Sequence, residues 1–208
     1  MKKIIFCSTL LLGSLFTNAQ NLTFGIKAGA NGSDVINNHP DNGFKVGLHF
    51  GGVAELHLGE KFSLQPELLF SQQGCNNTEW YINDDLEYVE EEFTWILNYV
   101  NLPVMVKYYV FENMSIEAGP QVGYLVKTEI TYETRYEYSD DEKITMGINE
   151  MINRIDLAAA AGISYKLPFD FTASLRYVLG LNSMVKDIGF SKGPKNSVFQ
   201  ASVTYSFL

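Results

Sequence analysis

Apolar and polar residues alternate with a period close to two along nearly the whole chain. In the last segment Phe199, Ala201, Val203, Tyr205 and Phe207 share one face, and Gln200, Ser202, Thr204 and Ser206 share the other. Residues 171–182 repeat the pattern, with Phe171, Ala173, Leu175, Tyr177 and Leu179 set against Thr172, Ser174, Arg176 and Gly180. Residues 154–167 set Ile155, Leu157, Ala159, Ala161, Ile163 and Tyr165 against Asp156, Gly162, Ser164 and Lys166. Such a period belongs to a β-strand whose two faces meet different surroundings. Eight strands are predicted in this way: 22–31, 44–58, 62–73, 94–110, 114–128, 154–167, 171–182 and 197–208. Each has the roughly ten residues that a tilted strand needs to cross a membrane.

The connections alternate in length. Gly59-Glu60-Lys61, Phe111-Glu112-Asn113 and Pro168-Phe169-Asp170 are tight turns, whereas the segments near 32–43, 74–93, 129–153 and 183–196 are long and polar. An up-and-down barrel in an outer membrane has this asymmetry, with short periplasmic turns and long outer loops. A soluble barrel of lipocalin type is the alternative, and it would turn its apolar face inward. Against it, the polar face here is rich in Gly and Ser with isolated charges, too sparse for a solvated surface but suited to a crowded lumen. The fold class expected is therefore all-β, an eight-stranded antiparallel up-and-down transmembrane β-barrel.

The start of the chain has a different pattern. Met1-Lys2-Lys3 is followed by an apolar run from Ile4 to Phe16 and by Thr17-Asn18-Ala19, a small-x-small cleavage site. The expected organisation is a signal peptide over 1–19 and one barrel domain over 20–208. Loss of Lys2 and Lys3 with the leader takes the formal charge from −9 to −11. Such a charge repels phosphate backbones and speaks against nucleic acid as a partner. Cys75 would be the one remaining cysteine, so no intrachain disulfide can form.

Three sets of residues carry candidate chemistry. Glu67, Lys107, Glu117, Asp156, Lys166 and Arg176 fall on the inferred lumen face, where mixed charges are expected to form an ion-paired plug. Tyr205 and Phe207 place aromatics on alternate positions of the final strand, which resembles the C-terminal signal read by the barrel-assembly machinery of the outer membrane, with the aromatic penultimate and not last. Carboxylates gather in the second long loop, from Glu79 to Glu92, and in the third, where Asp140, Asp141 and Glu142 are adjacent. These three are weak metal candidates, because a divalent cation relieves repulsion between neighbouring carboxylates and could bridge them to lipopolysaccharide. His49 and His57 share a strand face but stand roughly 27 Å apart at strand rise, too far for one ion. No nucleophile elbow, metalloprotease helix or phosphate loop is found, so neither a cofactor nor enzymatic activity is expected.

Several segments resemble a known family. Asn98-Tyr99-Val100-Asn101-Leu102-Pro103-Val104-Met105-Val106-Lys107-Tyr108-Tyr109, Glu117-Ala118-Gly119-Pro120-Gln121-Val122-Gly123-Tyr124 and Phe24-Gly25-Ile26-Lys27-Ala28-Gly29-Ala30-Asn31 resemble three strands of the PorT-like, porin-family outer-membrane β-barrel domain. Asp156, Gly162, Arg176-Tyr177 and Gly180-Leu181 follow in that family's order. The resemblance implies an eight-stranded barrel in the outer membrane of a Gram-negative bacterium, in contact with membrane lipid and lipopolysaccharide. The expected function is structural, or the binding of a surface or protein partner through the acidic outer loops. An accessory part in type IX-like protein secretion, a lipid-modifying enzyme and a narrow channel are the alternatives.

Overall fold

The computed structural model describes residues 22–36, 43–82, 88–136, 142–147, 152–186 and 193–207. The leader 1–19 lies outside them. Nine strands form one antiparallel sheet: β1 (Leu22–Ile36), β2 (Gly43–His57), β3 (Phe62–Ile82), β4 (Tyr88–Phe111), β5 (Met114–Tyr136), β6 (Glu142–Gly147), β7 (Ile155–Lys166), β8 (Phe171–Gly180) and β9 (Lys195–Phe207). Neighbours in sequence pair from β1 to β5 and from β7 to β9, β5 pairs with β7, and β9 returns to β1. The ring is closed, with Phe24 opposite Phe207 at the seam. Eight strands make the wall, and β6 lies on β5 beyond the end of β7.

Facing settles the choice between the two kinds of barrel. Leu175, Val203, Ile163, Phe50, Leu68 and Leu102 are exposed on the outer wall, while Glu67, Lys107, Glu117, Arg176, Gln200 and Thr204 are buried inside. The wall is apolar outside and polar inside, the inverse of a soluble barrel. Lipid supplies the apolar solvent, and ring closure satisfies every strand edge that hydrocarbon would otherwise leave unpaired. Phe62, Phe111, Phe169, Phe171 and Phe207 are exposed around the end that carries the short turns, as an interfacial girdle requires. Trp95 and Tyr99, on the same strand parity as Asn101 and Lys107, turn inward and take no part in a girdle at the other end.

The long acidic segments depart most from expectation. Residues 74–82 and 88–93 are strand, as are 129–136 and 142–147, so two predicted loops are hairpins that continue the wall past the barrel rim. The last pair between β2 and β3 is Gly43 with Asn76. Beyond it, β3, β4, β5 and β6 stand as a four-stranded flap. Gly74 marks the departure: its φ is 139°, and a Cβ there would lie 1.8 Å from the Trp95 carbonyl oxygen. Only glycine fits that backbone and that approach. On one flap face Arg135 reaches Glu90 at 3.4 Å and Glu92 and Glu133 at 3.5 Å, and Lys143 also pairs with Glu133. Hydrogen bonding from Lys143 holds the Glu133 carboxyl below the ordinary carboxylate range.

Candidate functional site

The middle of the lumen is a network of ions from four strands. Arg176 of β8 donates from Nη1 to Glu67 Oε2 (3.0 Å) and from Nη2 to Glu67 Oε1 (2.8 Å), while its Nε donates to Glu117 Oε1 (2.8 Å). Lys27 of β1 adds a 2.8 Å bond to Glu67 Oε1, and Ser164 Oγ donates to Glu117 Oε2 at 3.1 Å. Two cations thus face two carboxylates, all nearly fully buried. Nearer the short turns, Lys107 Nζ donates at 3.0 Å to Glu55 Oε2 and to Gln65 Oε1. The hydroxyls of Ser63 and Tyr109 donate to Glu55 Oε1. Gln65 joins the two groups, since its Nε2 donates to Glu67. Charge cancels locally in each, which is the condition for tolerating buried ions.

Of the six residues expected in the lumen network, Glu67, Lys107, Glu117 and Arg176 come together. Asp156 and Lys166 do not join them. Both lie on β7, but Asp156 sits towards the flap end, and Lys166 is exposed at the opposite rim. Strand parity places a residue on a face; only its register sets its height. Lys27 and Glu55, the two further members, have the same parity signal on β1 and β2. Among the weak metal candidates, Asp140 and Asp141 lie outside the described residues, and Glu142 opens β6 opposite Thr134. Among the described residues no cluster of three or more His, Cys, Asp and Glu could hold a metal.

Above the ions, His49 Nδ1 lies 2.8 Å from Asn31 Oδ1 and its Nε2 2.8 Å from Ser202 Oγ. That pairing suits a neutral ring, with Nδ1–H donating and Nε2 accepting. Both nitrogens are thereby taken by structural partners. At the flap end, Val35, Cys75, Leu97, Tyr99, Leu125, Ile152 and Met184 form an apolar cluster with Trp95 and Val185 packed against it. At the other end a polar recess of about 360 Å³ is lined by Glu55, His57, Lys107, Tyr109 and Lys166 among others. Further in, beside Lys27, Gln65 and Ser174, about 10 Å³ is left, no more than one water needs.

Tyr205 and Phe207 stand on the outer wall of β9. Tyr205 packs on Phe171 with ring centroids 5.1 Å apart and on Phe207 at 6.3 Å. Phe207→Ala removes the aromatic at the seam and is expected to lower the amount of heat-modifiable, folded barrel in the outer membrane, as read on unheated gels. Unchanged levels would deny Phe207 an assembly function.

A closed antiparallel ring, apolar outside and ion-paired within, defines a transmembrane barrel of the bacterial outer membrane. The chain belongs to the outer membrane protein beta-barrel domain family, whose model matches residues 18–186. Its place is accordingly the outer membrane of a Gram-negative cell. The solved structures similar to it include Ail, the attachment invasion locus protein of Yersinia pestis, in complex with the heparin analogue sucrose octasulfate. Ail is 13% identical over 90% of this chain and 99% of its own, with a TM-score of 0.46. Neisserial surface protein A is 11% identical over 90% and 97%, with a TM-score of 0.48. The translocator domain of the autotransporter NalP from Neisseria meningitidis is 11% identical over 99% and 98%, with a TM-score of 0.31. No curated protein matches the chain.

Proposed function

We propose that this protein is a non-enzymatic barrel that works at the cell surface through its flap, not by passing solutes through its lumen. The observation that carries this reading is the contrast between the two parts. The lumen is filled by cancelling ions and capped by apolar side chains, while two hairpins project the sheet past the rim. Short turns face the periplasm in such barrels, which puts the flap outside. Its tip offers exposed Trp80 and Tyr88 beside carboxylates, aromatics of the kind that protein interfaces bury, with a polar rim. Glu79 and Glu91 are paired across the β3–β4 ladder, and a divalent cation shared with lipopolysaccharide would relieve their repulsion.

A partner on the flap also accommodates the alternative of an accessory part in a secretion machine; the Asn98–Tyr109 strand resembles the PorT-like domain and carries no secretion role by itself. The test is crosslinking in intact cells from a photoreactive residue at Trp80, together with planar-bilayer recordings of the purified barrel. Discrete adducts that vanish when residues 77–93 are replaced by a short turn, with a silent bilayer, are the expected result. Stable conductance steps, or adducts indifferent to removal of the hairpin, would sink the proposal.

A further inference from the structure

Two rows of the lumen share one construction: a polar residue, a glycine and a second polar residue in register on three neighbouring strands. In the first, Glu117 of β5, Gly162 of β7 and Arg176 of β8 stand side by side. The missing side chain at Gly162 leaves room for Arg176 to lie across it and reach Glu117 at 2.8 Å. In the second, Asn101 of β4, Gly123 of β5 and Asp156 of β7 repeat the arrangement. A Cβ on Gly123 would come within 2.6 Å of Asn101 Oδ1 and 3.3 Å of Asp156 Cβ. The two side chains therefore close over the glycine from opposite sides. Gln121, two residues along β5, shares their face.

The second row has no positive charge of its own. Asp156, Asn101 and Gln121 are 4%, 1% and 2% exposed. Asp156 Oδ1, Gln121 Oε1 and both Oδ1 and Nδ2 of Asn101 are buried without a hydrogen-bond partner. Lys27, Lys107 and Arg176 are committed to Glu67, Glu55 and Glu117, and Asn196 is a neutral donor within reach of Asp156. A buried carboxylate oxygen that no donor reaches, with two more unmet amide oxygens on the same face, is the reverse of satisfied. Hard cations take such oxygens as ligands. One carboxylate neutralises a monovalent ion, whereas a divalent ion would leave a net positive charge in a medium that penalises it.

We infer that Asp156, Asn101 and Gln121 form a buried site for a hard monovalent cation of the sodium type. The ion does for this row what the Arg176 guanidinium does for the other. The test is urea unfolding of the full barrel in detergent micelles, with sodium chloride exchanged for N-methyl-D-glucamine chloride at constant ionic strength. For one site, the ratio of folded to unfolded protein rises about tenfold per decade of sodium above the dissociation constant. Asp156→Asn, which keeps the volume, abolishes that rise, and Gly123→Ala weakens it by displacing Asn101. Superimposable wild-type curves in the two salts would overturn the inference, leaving buried water or a proton as sufficient. So would a sodium response that survives in Asp156→Asn, or a response to calcium without one to sodium. Should Asp156→Asn not fold, thallous ion soaked into wild-type crystals gives the direct reading. An anomalous peak among the three oxygens is expected, and its absence overturns the assignment.

Discussion

Glu67→Gln is expected to cost about 3–5 kcal/mol of barrel stability, the range for breaking a buried ion pair by removing one partner. The carboxylate holds Lys27 and both terminal nitrogens of Arg176. A carboxamide of the same size keeps the volume but leaves the lumen with one uncompensated positive charge. The discriminating variant is the double change Lys27→Met with Glu67→Gln, which restores neutrality. It should recover much of the loss, because the cost lies in the stranded charge more than in the lost contact. Urea unfolding in lipid vesicles measures all four corners of the cycle. A double variant as unstable as the sum of the two singles would show that packing around Glu67, not charge balance, is what the network provides.

Arginine at Leu175 or Val203 should cost about 2–4 kcal/mol where the position lies near the bilayer midplane. Both side chains are exposed on the wall between neighbouring strands, where the surroundings are hydrocarbon. Arginine at Thr172 should be milder, since that position lines the wet recess at the turn end. Ser202 also faces inward, but it touches His49 at 2.8 Å, so a large side chain there fails for lack of space. Comparable folded yields for Leu175→Arg and Thr172→Arg would contradict the facing of the wall.

The reach of the sequence followed the lipid. Where one strand face meets hydrocarbon, alternation is strict, and β7, β8 and β9 were legible nearly to their ends. Beyond the membrane neither face is lipid-exposed, and the pattern dissolves. Glu90, Glu91 and Glu92 are consecutive acids in a regular strand, because Arg135 of β5 meets Glu90 and Glu92 on one face of the flap. A run of acids read alone resembles a solvated loop. The lumen charges were legible as a face and not as a set of pairs. Pairing depends on height, which is set by register and by the irregularities between Phe44 and His49 and between Asn98 and Tyr99. Nothing local in the sequence marks those slips, apart from Gly74 with its left-handed backbone. Lys27 and Glu55 were missed as partners because parity marks their face and nothing local marks the height at which they meet Glu67 and Lys107.

The ion network has a consequence for how the barrel comes apart. Its members sit on β1, β3, β5 and β8, so the bonds run through the interior, across the ring as well as around it. Peeling β1 from the seam takes Lys27 from Glu67, and on the other side β8, which follows β9, carries the Arg176 that holds both Glu67 and Glu117. Strand-by-strand unzipping, the natural failure of a sheet held only by its edges, therefore meets its steepest step within the first two strands removed from either side of the seam. The barrel should open as a single cooperative unit, with its hairpins outside free to fray while the wall stays whole.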